Sequence, residues 1–207
     1  MSKEKVINYR YYHWGPYLVS YTLSGEELNC LEKLFKKEKK LDKRKDLAGH
    51  LRNEYTLPKN KVWNIISPYF KSYYYSYKDY SGKSFPSFFK LESTWVNFMK
   101  KNEFNPPHVH HGDLSFVIYT HIPPGIAGES ATHVATSPAP GTISFHYLPV
   151  DNGKDVKGHS FFPMRGDMFI FPANLNHWVY PYKSIGERIS ISGNVEFEKE
   201  KKEKNDK

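Results

Sequence analysis

The sequence predicts an α+β fold in which helices come first and a β-sandwich follows within one domain. The length of 207 residues suits a single domain with a full core. The pattern then changes near Ser84, because apolar residues recur at helical spacing before it and alternate with polar residues after it. Turn signals such as Asn105-Pro106-Pro107 and Arg165-Gly166-Asp167 separate the later runs into short strands.

The first element is strand-like, since apolar and polar residues alternate over residues 6–23. Ser24 is followed three residues later by Glu27, a capping-box pattern that predicts the start of a helix. The buried face of this helix should carry the apolar residues at helical spacing, namely Leu28, Leu31, Leu34 and Phe35. This helix opens a helical support that we expect over about residues 24–80.

Two further helices are expected within this support. One is predicted over residues 43–55, from residues spaced four apart: Leu47, Leu51 and Tyr55. The other is predicted over residues 61–80, with an apolar side formed by Trp63, Ile66, Phe70, Tyr73 and Tyr77. Pro68 should kink this last helix or mark its first turn.

The β-core is predicted over about residues 88–197. Its runs alternate or are rich in β-branched residues, and they lie near residues 90–99, 114–121, 131–136, 141–148, 168–172, 177–182 and 187–197. Several short strands at this spacing indicate a sandwich or a barrel. We expect one domain over residues 1–198 and a disordered charged tail over residues 199–207, because the tail lacks core-forming side chains.

Composition narrows the classes of protein. No run of eighteen apolar residues is present, which predicts that no transmembrane helix forms. The N-terminus lacks the apolar stretch of a signal peptide, so we expect a cytoplasmic protein that is not secreted. Cys30 is the only cysteine, which excludes an intrachain disulfide and a cysteine-based zinc site.

The net charge of +8 is concentrated in one segment. Residues 31–61 hold eleven Lys or Arg against five Asp or Glu. Such a segment is either a solvated helix face or a patch that meets nucleic acid or an acidic partner. The segment lacks interleaved exposed aromatic residues, which argues against binding to single-stranded nucleic acid.

Two histidine clusters indicate a metal site. His108 and His110 are two residues apart on an extended segment, so their side chains point to the same side. The same holds for His111 and Asp113, and only one of these pairs can face inward. His177, on a distant strand-like run, could complete three facial ligands, an open arrangement typical of non-haem iron(II) oxygenases. The alternative is that the first cluster forms an exposed turn beside Pro106-Pro107.

Arg188 and Ser190 form the third element of the predicted site. They alternate with Ile189 and Ile191, so one face of this strand is polar and can line the interior of a barrel. A guanidinium can donate a bidentate pair of hydrogen bonds to a carboxylate, and Ser190 can donate another. The alternative is a surface arginine paired with Glu187.

These residues carry a resemblance to a known family. The matching segments are residues 105–110, 114–119, 171–177 and 187–192, within about residues 90–195. The chain resembles the 2-oxoglutarate/Fe(II)-dependent oxygenases, and within them the prolyl-hydroxylase-like group of bacteria and marine phages. The resemblance implies a double-stranded β-helix (jelly-roll) core buttressed by N-terminal helices. It also implies Fe(II), 2-oxoglutarate and O2 as cofactor and cosubstrates.

The resemblance also implies roles for single residues. His108 and His177 match the two histidine ligands, and Arg188 with Ser190 matches the anchor of the distal carboxylate of 2-oxoglutarate. Tyr119 matches a strand tyrosine that donates to the same carboxylate in related hydroxylases. Cosubstrate or substrate contacts are further implied for two side chains of the preceding strand, Asn97 and Trp95.

The sequence departs from the family pattern at position 110. The usual first motif is His-x-Asp, and here position 110 is histidine. Either His110 is a third neutral ligand, or Asp113 supplies a carboxylate after a turn, or His111 and Asp113 are themselves the motif. We favour His108 with His110, because Asp113 lies only two residues before the strand that begins at Ser115.

The resemblance predicts a hydroxylase of an unactivated C–H bond, with peptidyl proline as the leading substrate and thus a protein or peptide partner. A hydroxylase of another residue or of a free amino acid is the alternative within the class, and loops 123–141 and 149–160 would shape that choice. The alternatives outside it are a cupin-like metal-binding protein without 2-oxoglutarate turnover and a non-catalytic binding module.

Overall fold

The structure is a computed structural model that describes residues 7–12, 15–37, 41–147 and 158–198. Its α-helices are α1 (Gly25–Lys37), α2 (Lys59–Ser81) and α3 (Pro124–Ala131). Its strands are β1 (Tyr9–Tyr12), β2 (Leu18–Thr22), β3 (Glu54–Thr56), β4 (Phe88–Met99), β5 (Asn105–His108), β6 (Leu114–His121), β7 (Ile143–His146), β8 (Gly158–Phe161), β9 (Asp167–Pro172), β10 (Asn176–Val179) and β11 (Arg188–Glu198). The predicted tail and most of the loop at 149–160 lie outside the described residues.

The strands form two antiparallel sheets. The larger sheet has the order β1-β2-β9-β6-β11-β4-β3, and the smaller has the order β5-β10-β7-β8. One core lies between them and combines side chains of the larger sheet with those of the smaller one, such as Val117, Phe169 and Phe171 with Ile143, Phe145 and Val179. The predicted α+β class with a jelly-roll core is therefore confirmed.

A second core lies on the other face of the larger sheet. Helices α1 and α2 cover this face, and their buried residues Leu28, Leu31, Ile66 and Phe70 pack against sheet residues such as Val96, Phe116 and Ile191. Burial of a large apolar side chain of this kind contributes about 1.5–3 kcal/mol. The helices therefore cover one face of the larger sheet, while its opposite face packs against the smaller sheet.

Local signals explain where α1 and α2 begin and continue. The capping box forms, since the Glu27 amide donates to Ser24 Oγ at 3.3 Å and the Ser24 amide donates to Glu27 Oε2 at 2.9 Å. Pro68 lies in the interior of α2 and not in its first turn. Among the described residues, no helix is both long and apolar enough to span a membrane.

The prediction of a helix over residues 43–55 is wrong. This segment contains only a short 3-10 turn, Arg44–Asp46, and then strand β3, which pairs with β4 in the register Glu54 to Asn97. The Lys43 amide also donates to the Glu54 carbonyl at 2.9 Å, so the segment folds back on itself. Pairing with a distant strand overrides the helical spacing of the leucines.

Two of the predicted strands also need correction, and two strands were not predicted. The run at 131–136 is not a strand, because Pro124 begins helix α3 and a turn follows that helix. The run at 177–182 is shorter than predicted, since β10 ends at Val179. Strands β5 and β8, which are only four residues long each, were not predicted from the sequence.

Candidate metal and cosubstrate site

Three histidines meet at one end of the smaller sheet. Strands β5 and β10 are antiparallel neighbours, and His108 lies directly opposite His177 in their register. His110 follows β5 and is held by its amide, which donates to the Ala173 carbonyl at 2.8 Å. One nitrogen of each ring can be chosen so that all three atoms lie within 4.8 Å of one another. The fold therefore brings together the three histidines that are predicted from the sequence as metal ligands.

Backbone hydrogen bonds orient two of these rings. His108 Nδ1 lies 2.7 Å from the Pro106 carbonyl oxygen, and His177 Nδ1 lies 2.9 Å from the Leu175 carbonyl oxygen. A carbonyl oxygen only accepts, so each Nδ1 carries the proton and each Nε2 keeps its lone pair. This is the orientation that metal-ligating histidines commonly adopt.

Burial keeps the three rings neutral. Burial lowers the pKa of His108 and lowers the pKa of His177 still further, with the neighbouring imidazoles adding to the effect at His177. The pKa of His110 falls to about 3, first through burial and then through His108 and His111. Neutral imidazoles at physiological pH are ready to bind a metal without releasing a proton.

The other two candidates for the third ligand lie elsewhere. Asp113 Oδ2 accepts a hydrogen bond from the Phe197 amide at 2.7 Å, which holds this carboxylate against strand β11. Gly112 has a positive φ of 95°, and the turn it makes separates Asp113 from the His108–His110 segment. His111 is exposed. Neither residue joins the histidine cluster.

Arg188, Ser190 and Tyr119 lie on neighbouring strands of the larger sheet. Ser190 is opposite Tyr119 on one side and Asn97 on the other. Arg188 is only 3% exposed, and its guanidinium carbon lies 5.3 Å from the centre of the Tyr119 ring. The polar face predicted for β11 is thus turned inward.

Arg188 is a buried cation with spare donors. Its Nη1 donates to the Gly141 carbonyl at 2.9 Å, while its Nε and the Tyr119 hydroxyl have no hydrogen-bond partner in the described part of the chain. Burial lowers the pKa of Arg188, and burial also raises the pKa of Tyr119 to about 12. Glu187 pairs with Lys100 at 3.3 Å, so it does not neutralise the arginine. Unsatisfied buried donors of this kind match the carboxylate of a bound acid.

The remaining predicted contacts line one cavity together with the histidines and Arg188. Asn97 Nδ2 donates to Ser190 Oγ and to Ser192 Oγ, each at 3.3 Å. The Trp95 ring lies 5.7 Å from the His110 ring, centre to centre. The cavity is lined by every predicted site residue, namely Trp95, Asn97, His108, His110, Tyr119, His177, Arg188 and Ser190. Three neutral nitrogen donors fit Fe(II), and the donor groups opposite them fit a dicarboxylate.

Among the cavity-lining residues that were not predicted for the site are Gly49, Glu54 and Asn105. Glu54 lies inside the segment predicted as a helix, and that prediction did not point its side chain toward the site. The strand that carries it is three residues long, too short to show an alternating pattern. Only the pairing of β3 with β4 turns this carboxylate inward.

Comparisons with known proteins agree with this geometry. A family model described as "Putative 2OG-Fe(II) oxygenase" matches residues 93–194, which include the three histidines and Arg188. A search of curated proteins gave no significant match.

Similar solved structures share the fold. An oxidoreductase of the 2OG-Fe(II) oxygenase family from Burkholderia pseudomallei has a TM-score of 0.58 and 12% identity, covering 87% of this chain and 84% of its own. The viral collagen prolyl hydroxylase of Paramecium bursaria Chlorella virus-1 has a TM-score of 0.54 and 15% identity, covering 89% and 98%. A Pseudomonas putida prolyl-4-hydroxylase has a TM-score of 0.52 and 12% identity, covering 90% and 95%. Residues 93–194, which carry every predicted site residue, therefore match the 2-oxoglutarate/Fe(II)-dependent oxygenases, a family that uses Fe(II), 2-oxoglutarate and O2.

Proposed function

We propose that this protein is an Fe(II)- and 2-oxoglutarate-dependent dioxygenase that hydroxylates a carbon of a peptidyl proline. One observation carries the oxygenase part of the proposal. Three neutral imidazoles and a buried guanidinium with unused donors line one cavity. The first group suits a metal with open coordination positions, and the second suits the carboxylate of a cosubstrate beside it.

Each side chain has a defined task in this proposal. His108, His110 and His177 would hold Fe(II), while Arg188 and Tyr119 would bind the distal carboxylate of 2-oxoglutarate. When bound, Fe(II) and 2-oxoglutarate would supply the oxidation: the cosubstrate would lose CO2 and take up one oxygen atom of O2 to become succinate, and the other oxygen atom would enter the substrate as a hydroxyl group. The remaining task of the chain is to orient the reactants and to exclude water.

The apolar part of the wall serves this last task. Phe171 and Ile143 line the cavity together with Val179, and all three side chains are at most 5% exposed. Phe145 lies behind them with its ring 5.9 Å from that of His177. A dry wall strengthens the attraction between Arg188 and a carboxylate, because few water dipoles screen it.

The substrate part of the proposal rests on likeness. Two of the solved structures that share this fold are prolyl hydroxylases by name, while another was solved with hygromycin B bound. A fold supports many substrates, so the reacting carbon must be identified by experiment. Hydroxylation of another residue or of a free amino acid is the alternative.

The test is turnover with a defined product. The iron-loaded chain would be incubated with 2-oxoglutarate, 18O2 and proline-containing peptides, and the products would be analysed by mass spectrometry. The proposal predicts succinate and a peptide that gains one 18O atom on proline. Succinate with no labelled peptide would remove the proline part alone. The absence of both products would contradict the oxygenase proposal and favour a cupin-like metal protein, which has no need of Arg188 in the cavity.

A further inference from the structure

The cavity has a second polar end that the oxygenase chemistry does not use. Glu54 on β3 lies opposite Asn97 on β4, and Asn97 lies opposite Ser190 on β11. Residues directly opposite one another in a sheet share a face, so Glu54 continues the polar row that begins at Tyr119. Glu54 lines the same cavity as the histidines and is only 2% exposed.

This end of the cavity presents acceptor atoms without donors. Glu54 Oε2, Asn97 Oδ1 and Asn105 Oδ1 are buried, and no described residue donates a hydrogen bond to any of them. A buried acceptor left unsatisfied costs about 1–3 kcal/mol. Three such atoms at one end of a cavity indicate a place where a bound molecule supplies the donors.

The electrostatic surroundings favour a cation. Burial, and after it the negative charge of Glu103, raises the pKa of Glu54 to about 7. Arg44, the nearby cation, is already held by Asp42, to which its Nε donates at 2.9 Å. A positive charge brought to Glu54 would therefore favour the ionised form of this group, which no described residue pairs with.

Gly49 lets this carboxylate pack close to the backbone. A Cβ atom at position 49 would lie 2.8 Å from Glu54 Oε1 and 2.5 Å from Asn105 Oδ1, both closer than real contacts allow. The two oxygens thus occupy the volume that a side chain at position 49 would need. A side chain there would displace both oxygens, so glycine is required to hold them at this end of the cavity.

The cosubstrate cannot satisfy this end of the cavity. 2-Oxoglutarate carries only acceptor oxygens, which match the donors of Arg188 and Tyr119 at the other end. The acceptor end therefore calls for a different molecule with N–H donors. We propose that Glu54 binds a cationic nitrogen of the substrate, an ammonium or a guanidinium, and that Asn105 accepts a second hydrogen bond from it.

This inference rests on the proposed function, because it assigns the cation to the substrate of the same cavity. It names a substrate class: the reacting carbon lies near a basic nitrogen. That nitrogen belongs either to a lysine or arginine next to the proline of a peptide or to a free amino acid. A charge-assisted pair of this kind should favour the cationic ligand roughly tenfold to a hundredfold over a neutral one.

The test is a binding measurement on the full chain loaded with Fe(II) and 2-oxoglutarate, by calorimetry without oxygen. The probes are a terminally blocked peptide with lysine beside proline, the same peptide with norleucine, and free L-lysine. We expect the lysine peptide to bind at least roughly tenfold more tightly than the norleucine peptide. Free lysine as the tighter ligand would assign the site to an amino acid. If none of the cationic probes binds better than the norleucine peptide, the proposal is overturned.

Variants locate the effect. Glu54→Gln keeps the shape and removes the charge, so it should abolish the preference for lysine, whereas Glu26→Gln, on the exposed first turn of α1, should keep it. Gly49→Ala should weaken the lysine probe while leaving every charge in place. Thermal unfolding and iron content of each variant show whether it folds. A lysine preference that survives in folded Glu54→Gln would overturn the proposal.

The same samples separate this inference from the proposed function. Iron content and 2-oxoglutarate affinity are measured independently of the cationic probes. A Glu54-dependent lysine preference without 2-oxoglutarate binding would support the inference and contradict the proposed function. Normal 2-oxoglutarate binding without a lysine preference would support the proposed function and contradict the inference.

Discussion

Replacing Arg188 with alanine should leave iron bound and greatly weaken 2-oxoglutarate. The guanidinium donates a hydrogen bond from Nη1 to the Gly141 carbonyl, whereas its Nε has no hydrogen-bond partner among the described residues. A bidentate pair of charge-assisted bonds to a carboxylate contributes roughly 3–6 kcal/mol, at 1.5–3 kcal/mol each. The dissociation constant for 2-oxoglutarate should therefore rise roughly a hundredfold to ten-thousandfold.

The assay is calorimetric titration of 2-oxoglutarate into the Fe(II) protein without oxygen, paired with thermal unfolding. At a concentration of 2-oxoglutarate about one hundred times the wild-type dissociation constant, binding should stabilise the wild type by about 2.7 kcal/mol. Arg188→Ala should show almost no such stabilisation. Arg188→Lys should be intermediate, because an ammonium keeps the charge and loses the bidentate geometry. An unchanged dissociation constant in iron-loaded Arg188→Ala would refute the anchor role.

Four further outcomes are expected. His177→Ala should lose iron, measured as metal per chain, and full iron content would contradict its role as a ligand. Tyr119→Phe should weaken 2-oxoglutarate roughly tenfold in the same titration, and equal affinity would show that its hydroxyl does not contact the cosubstrate. The pKa of Glu54 is raised from 4.5 to about 7 in the folded state, so its contribution to stability is present below pH 4.5 and lost as the pH rises through 7. The free energy of unfolding of the wild type, measured in urea, should therefore decrease between pH 4.5 and 8, and in Glu54→Gln this decrease should be smaller by about 1–3 kcal/mol. The same pH dependence in both proteins would contradict a buried, ionisable Glu54. Gly193→Ala should destabilise the fold by roughly 1–3 kcal/mol, because its Cβ would lie 2.5 Å from the Ser93 carbonyl oxygen, and an unchanged urea midpoint would contradict this packing.

Sequence patterns predicted the part of the site that depends on local geometry. His108 and His110 point to one side because the segment is extended, and Arg188 and Ser190 share a face because strand side chains alternate. Both relations follow from two-residue spacing, which the sequence displays. The position of His177 opposite His108 depends on strand pairing; the residue pattern offered His177 as a third ligand, and the family resemblance added support.

The missed features depend on contacts between distant residues. The leucine spacing at 43–55 fits a helix, but pairing of β3 with β4 decides its conformation and turns Glu54 into the cavity. Strand β5 contains Pro106 and Pro107, which usually argue against a strand. It is tolerated here because β5 lies at the edge of the smaller sheet and pairs on one side only.

The identity of the third ligand was open for a similar reason. Spacing allowed His110, His111 and Asp113, and it favoured His110 because Asp113 lies only two residues before the next predicted strand. The hydrogen bond from the Phe197 amide to Asp113 decides which of them faces away from the cluster. The partner lies on a strand eighty-four residues further along the chain, where no local pattern could reveal it.

The most direct test of the central claim is an anaerobic titration of the Fe(II) protein with 2-oxoglutarate, followed by visible absorption. If imidazoles and guanidinium assemble one binding site, a new charge-transfer band should grow to saturation at one cosubstrate per iron and be absent in His177→Ala. An iron-loaded wild type that develops no band would contradict the account.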